Sequence, residues 1–186
     1  MSDSTKVQGY IENLYHDPEK VPLKYISDYM VFMFQPMPIR KSLAANRSEL
    51  NVLGMSHSYK TYNSTSNQMV SFDLYFNTLM LMGELKLQRS DMVGFIKEHE
   101  NYISALLYPA EANDGYAELD TPLCYLHLPG VVSMNCRLDS INNTVTDLFD
   151  DGTIKEMRIN CTFSEELKTR RTMQDALIKG LNSGGN

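Results

Sequence analysis

Residues 51–77 read NVLGMSHSYKTYNSTSNQMVSFDLYFN, and the second half of this stretch decides the fold. Val70, Phe72, Leu74 and Phe76 occupy alternate positions, with Ser71, Asp73 and Tyr75 between them. A period of two places the first set on one face of a β-strand and the second set on the other. The spacing predicts a half-buried strand over 69–76 and a partner strand over 57–62, joined as a hairpin by the turn-forming link NSTSN. The same stretch contains Gly54-Met55-Ser56-His57, which raises the question of a nucleophile elbow. That motif requires Gly-x-Ser-x-Gly on a strand-to-helix turn, and here the second glycine is missing. Adjacent strand residues also face opposite ways, so Ser56 and His57 cannot pair as nucleophile and base. The stretch reads as structure, not catalysis.

The same alternation recurs further along the chain. Val132, Met134, Cys136 and Leu138 alternate within 131–146, and Met157, Ile159, Cys161 and Phe163 do so within 153–163. Asp151-Gly152 between them is a hairpin turn signal. PLCYLHLPG, bracketed by Pro122 and Pro129, reads as a short strand, and DYMVFMFQ over 28–35 as a buried one. Ser90 is positioned to cap a helix from Asp91 to Leu107, whose core face carries Met92, Phe95, Ile96, His99, Ile103, Leu106 and Leu107. Residues 39–53 suit either a short helix or a long extended loop. Val7, Tyr10, Ile11, Leu14 and Tyr15 fall on one face of a helical arm over 5–16, ended by Pro18 and Pro22. Met173, Leu177, Ile178 and Leu181 form a similar stripe over 165–181. The expected organisation is an N-terminal arm (1–27), a β domain (28–165) and a C-terminal helical arm and tail (166–186).

The bulk figures bound the function. With 186 residues, 42% hydrophobic and 22% charged, the chain can bury a core and is neither disordered nor fibrous. Apolar runs such as Met30 to Phe34 are far short of a membrane span, and the N-terminus lacks the pattern of a secretory leader. A net charge of −6 argues against sequence-independent DNA binding, which needs cations to displace counterions. Cys124, Cys136 and Cys161 sit in apolar settings and read as reduced core residues of a cytosolic protein, not a disulfide framework.

No constellation with chemistry emerges. Glu98-His99-Glu100 fans around its helix, whereas metal ligands on a helix need to share a face; the two carboxylates read as solvated and His99 as packed beside the core stripe. His16 and His127 have no ligand partners nearby, and Asp150 and Asp151 mark a turn without a calcium-loop pattern. The sequons at Asn46, Asn63, Asn142 and Asn160 read as chance matches, and Lys168, Arg170 and Arg171 as a solvated helix face. No enzyme activity, cofactor or metal is expected.

The order of these pieces resembles baseplate and tail-tube-associated proteins of contractile phage tails and contractile injection systems. The matching pieces are Phe32 to Ile39 (FMFQPMPI), Gly54 to Tyr62 (GMSHSYKTY), Ser71 to Asn77, Ser104 to Pro109, Pro129 to Ser133, and the Asp150 to Phe163 hairpin. They span roughly 28–165. Gln35 departs from the usual Asn, and the chain has no room after these pieces for the LysM module that some relatives carry. The resemblance implies an α+β fold: a mainly antiparallel β-sandwich or barrel of tail-tube type, with one packed helix and helical terminal arms. It implies a non-catalytic virion protein of the tail or baseplate, assembled in the host cytoplasm. Such a tube initiator or hub–tube connector forms a homo-oligomer, a sixfold ring between the hub or spike and the major tail tube protein. DNA passes through its lumen unbound, and no membrane is involved. The acidic balance suits such a lumen. Val7, Tyr10, Ile11, Leu14, Met173, Leu177 and Ile178 are the candidate subunit contacts. The alternative is an assembly adaptor or chaperone that does not stay in the particle.

Overall fold

A computed structural model describes residues 8–14, 23–32, 36–50, 53, 58–85, 88–109 and 120–166. Nine strands and two helices are described: β1 (Tyr10–Asn13), β2 (Tyr29–Val31), β3 (Arg40–Ser42), β4 (Ala45–Leu50), β5 (Tyr59–Thr65), β6 (Met69–Asn77), α1 (Thr78–Leu85), α2 (Arg89–Ala105), β7 (Cys124–Leu128), β8 (Val132–Leu148) and β9 (Ile154–Glu165). The fold is α+β with a sheet-rich core, the fold class that the resemblance implied. Seven strands form one antiparallel sheet in the order β2-β1-β7-β8-β9-β6-β3. Strands β4 and β5 form a separate two-stranded ribbon.

Strand β6 behaves as its sequence dictates. Val70, Phe72, Leu74 and Phe76 are buried, and Ser71, Asp73 and Tyr75 lie on the other face. Its long partner is β9, where Met157, Ile159, Cys161 and Phe163 are buried in alternation. Phe72 stacks on Phe163 with centroids 5.6 Å apart, and meets Phe32 at the same distance. Phe32 follows β2, at the opposite end of the strand order from β6, so the sheet curls over on itself around an aromatic centre. Helix α2 covers this interior with Met92, Phe95, Ile96, His99, Tyr102 and Ile103.

The β8–β9 turn forms where Asp151-Gly152 signals it. Gly152 has φ +78°, a backbone shape that favours glycine, and its N–H donates to the Phe149 carbonyl at 2.8 Å. Gly9 is needed for a different reason: a Cβ there would lie 2.9 Å from Phe32 Cδ2 and 3.1 Å from Leu128 Cδ2.

Four local expectations are corrected. First, Tyr10–Asn13 is a strand in the interior of the sheet, between β2 and β7, and not part of a helical arm. Its short run fits both periods; pairing with two neighbours buries Ile11, whereas a lone helix of this length is marginal in water. Second, residues 39–53 contain β3 and β4 and no helix among the described residues. Third, β5 does not pair with β6 as a hairpin. Its partner is β4, while β6 pairs with β3, so 40–50 and 59–77 build one long ribbon with an interruption at 43–44 and 66–68. Asn63 to Thr65, read as a turn, continue β5, because an exposed ribbon needs no apolar alternation. Fourth, α2 begins at Arg89 with Gln88 as its N-cap, not Ser90, and α1 was not expected. Helix α1 follows β6 directly, and Asn77 Oδ1 accepts the Met80 N–H at 3.2 Å to start it.

Candidate assembly surfaces

Among the described residues, the sheet has two free edges and one exposed extension. Within them strand β2 is bonded only to β1, and β3 only to β6, so no described strand pairs with the other side of either. The ribbon of β4 and β5 is exposed along the described side chains of both strands. It is held by its own cross-strand contacts: Lys60 pairs with Glu49 at 3.1 Å, and Asn46 Nδ2 donates to Ser64 Oγ at 3.2 Å. Its base is fastened where the Ser66 N–H donates to the Ala44 carbonyl at 2.8 Å and the Ala44 N–H to Ser66 Oγ at 2.9 Å. Beside β3 lie three exposed apolar side chains, Met37, Leu43 and Met69.

The outer face near the β2 edge carries an aromatic cluster. Register pairs Tyr10 with Val31 and His127, and Glu12 with Tyr29 and Tyr125, so all six share a face. Tyr10 lies 5.1 Å from Tyr29, 6.2 Å from Tyr125 and 5.1 Å from His127, centroid to centroid. Burial, then the neighbouring Tyr125, Glu12 and Tyr29, raise the Tyr10 hydroxyl above its usual range. Gln8, Tyr10, Glu12, Asp28, Tyr29 and Val31 line an open groove of about 550 Å³.

The seven candidate contact residues divide. Val7, Met173, Leu177 and Ile178 lie outside the described residues. Tyr10 joins the aromatic cluster, and Leu14, just past β1, is 46% exposed. Ile11 is 1% exposed, a core residue of its own chain. Ser56 and His57 also lie outside the described residues.

The remaining titratable groups explain packing. The His99 Nδ1–H donates to the Phe95 carbonyl at 2.8 Å, and its ring sits 4.0 Å from that of Phe95. Burial holds its pKa below the ordinary 6.5. Glu98 is not merely solvated as expected: its carboxylate accepts the N–H groups of Lys24, Tyr25 and Ile26 at 3.1, 2.6 and 3.1 Å. Glu100 likewise accepts from Asn143 Nδ2 at 2.7 Å. Cys124, Cys136 and Cys161 are free and buried, and burial pushes the thiols of Cys124 and Cys161 up to about 12. His127 Nδ1 lies 2.8 Å from Ser133 Oγ. No group of metal-ligating side chains is found among the described residues, and no described helix is long and apolar enough to cross a membrane.

The edges, the ribbon and the aromatic groove were not legible in the sequence as surfaces. Alternation tells which face of a strand is inward; it does not tell which strand ends at an edge.

No family model and no curated protein matches the sequence. Among solved structures, the chain is similar to one from the tail of an empty GTA particle, computed with helical refinement and C6 symmetry. That similarity is 12% in identity, covers 92% of this chain and 99% of the other, and has a TM-score of 0.39, too low to fix a role.

Proposed function

We propose that this chain is a structural, non-catalytic subunit of a phage-type tail, forming a ring at the junction of baseplate and tail tube. There it joins the hub or spike to the tube, or starts tube assembly. The observation that carries this reading is the pair of edges, β2 and β3, left open among the described residues at the two ends of one curled sheet, together with a ribbon exposed along its described side chains. A ribbon of two strands has little stability alone, so a neighbour that covers it supplies what the chain lacks. Open edges of different sequence favour head-to-tail contacts, which give a ring where the rotation between subunits closes. The six pieces of sequence that resemble baseplate and tail-tube-associated proteins point to the same assembly.

Quantitative mass spectrometry on purified tailed particles tests the proposal by counting this chain against the major tube protein. About six copies, or a small multiple of six, is the expected result for a ring of this symmetry. Absence from otherwise complete particles overturns it, and leaves an assembly adaptor that departs before completion.

A further inference from the structure

We propose that the groove of Tyr10, Glu12, Asp28 and Tyr29 at the β2 edge is a socket for Arg40 at the β3 edge of a second copy of this chain. The inference rests on the ring reading and gives its interface a chemistry.

The argument begins with faces. Arg40 is opposite Ser71 in register, and Lys41 is opposite the buried Val70. Arg40 therefore lies on the outer face, the same face as Tyr10, Glu12 and Tyr29. A β3 strand laid against a neighbour's β2 edge keeps outer face beside outer face. Its Arg40 then stands next to Tyr29 or Val31, with diagonal positions about 7–8 Å away and within reach of a long side chain.

Charge supplies the second step. Glu12 and Asp28 form no side-chain hydrogen bond or ion pair among the described residues, and neither does the exposed Arg40. Lys41, the next residue, is already engaged, its Nζ donating to the Val131 carbonyl. Two carboxylates and two tyrosine rings around an open groove suit a planar guanidinium, which donates bidentately to carboxylates and stacks on aromatic faces. This chain already uses that contact internally, where Arg89 lies 3.7 Å from the centre of the Phe149 ring.

Apolar contact supplies the third. Met37, Leu43 and Met69 are exposed beside β3, and Tyr29 is 44% exposed at the β2 edge. Edge pairing would shield these groups while the new strand ladder satisfies the free N–H and C=O groups.

The test uses full-length chains in two arms. Val31→Cys and Ser42→Cys proteins, which keep Arg40 and all four socket residues, are mixed at about 1 mM, a concentration that captures weak complexes, and treated with a short thiol cross-linker that spans neighbouring and diagonal positions. The three native thiols are buried, so the introduced ones react first. The expected product joins the two different variants, in excess over either homodimer; homodimers alone, or no cross-link, overturn the proposal. In the second arm, Arg40→Glu placed in the Ser42→Cys chain is expected to lower the mixed cross-link about tenfold. Glu12→Arg placed in the Val31→Cys chain restores it; an undiminished cross-link with Arg40→Glu overturns the socket. Circular dichroism checks that each variant is folded. Particles with copies in sixes but no mixed cross-link would remove the socket and leave the ring. A mixed cross-link from a chain absent from particles would keep the socket and remove the tail role.

Discussion

Phe72 shows how a single side chain organises the interior. It is 1% exposed and lies between Phe163, stacked on it, and Phe32, which brings in the far end of the sheet. Phe72→Ala removes that bridge and leaves a cavity, and is expected to destabilise by about 3–5 kcal/mol in urea unfolding. A loss well below 1 kcal/mol would contradict the position given to this ring. His99 makes a prediction in pH. Its folded pKa is lowered by burial below the ordinary 6.5, so the folded chain holds it neutral where the unfolded chain takes up a proton. Stability from this group is complete above 6.5 and falls as pH drops from there to the folded pKa. His99→Phe is expected to flatten that part of the stability–pH curve between pH 7.5 and 5.5, as about-unit steps of denaturant unfolding would read it. An unchanged slope would mean that His99 is accessible to protons in the fold. Both roles were readable from the sequence at the level of burial, since Phe72 and His99 fall on apolar faces. The Phe32 partner was not, because contact between the two ends of a curled sheet leaves no mark on local spacing.

At the scale of elements, ionic contacts dock what the apolar faces do not fix. The Glu98 carboxylate on α2 gathers three successive N–H groups from residues 24–26, which follow no regular ladder. Glu98→Ala leaves those donors without their acceptor and is expected to cost about 2 kcal/mol, with faster hydrogen exchange at 24–26. Retained protection there would show that the segment is held by Tyr25 and Ile26 packing alone. At the start of α2, Arg89 Nη2 meets Asp151 Oδ1 at 2.8 Å and Thr153 Oγ1 at 3.0 Å, tying the helix to the β8–β9 turn. Arginine in a first helical turn opposes the helix dipole, so its position has a tertiary cause. The long alternating strands and α2 were legible because each has enough turns or repeats to show its period. Strands β1 and β3, of four and three residues, were not; neither length distinguishes a period of 2 from one of 3.6. Strand β4 failed for another reason: exposed on both faces, it needs no apolar period at all.

For the molecule as a whole, the proposed function predicts that the ribbon serves assembly and not folding. Among the described residues, 45–50 and 59–65 pair only with each other, and the bonds at Ala44 and Ser66 close the ribbon where it leaves the sheet. The core lies elsewhere, under α2 and within the curl of the seven strands. Replacing 43–68 with an Asn-Gly turn keeps β3 opposite β6 in a short hairpin. The shortened chain is therefore expected to unfold at a stability within about 1 kcal/mol of the parent, since an isolated ribbon contributes little to the fold that carries it. Incorporation into tailed particles, measured by mass spectrometry against the tube protein, is expected to fall to background. A shortened chain that fails to fold would place the ribbon inside the domain's own stability. One that folds and is incorporated at the parental copy number would remove the ribbon from the proposed interface and leave the two sheet edges to hold the proposed ring.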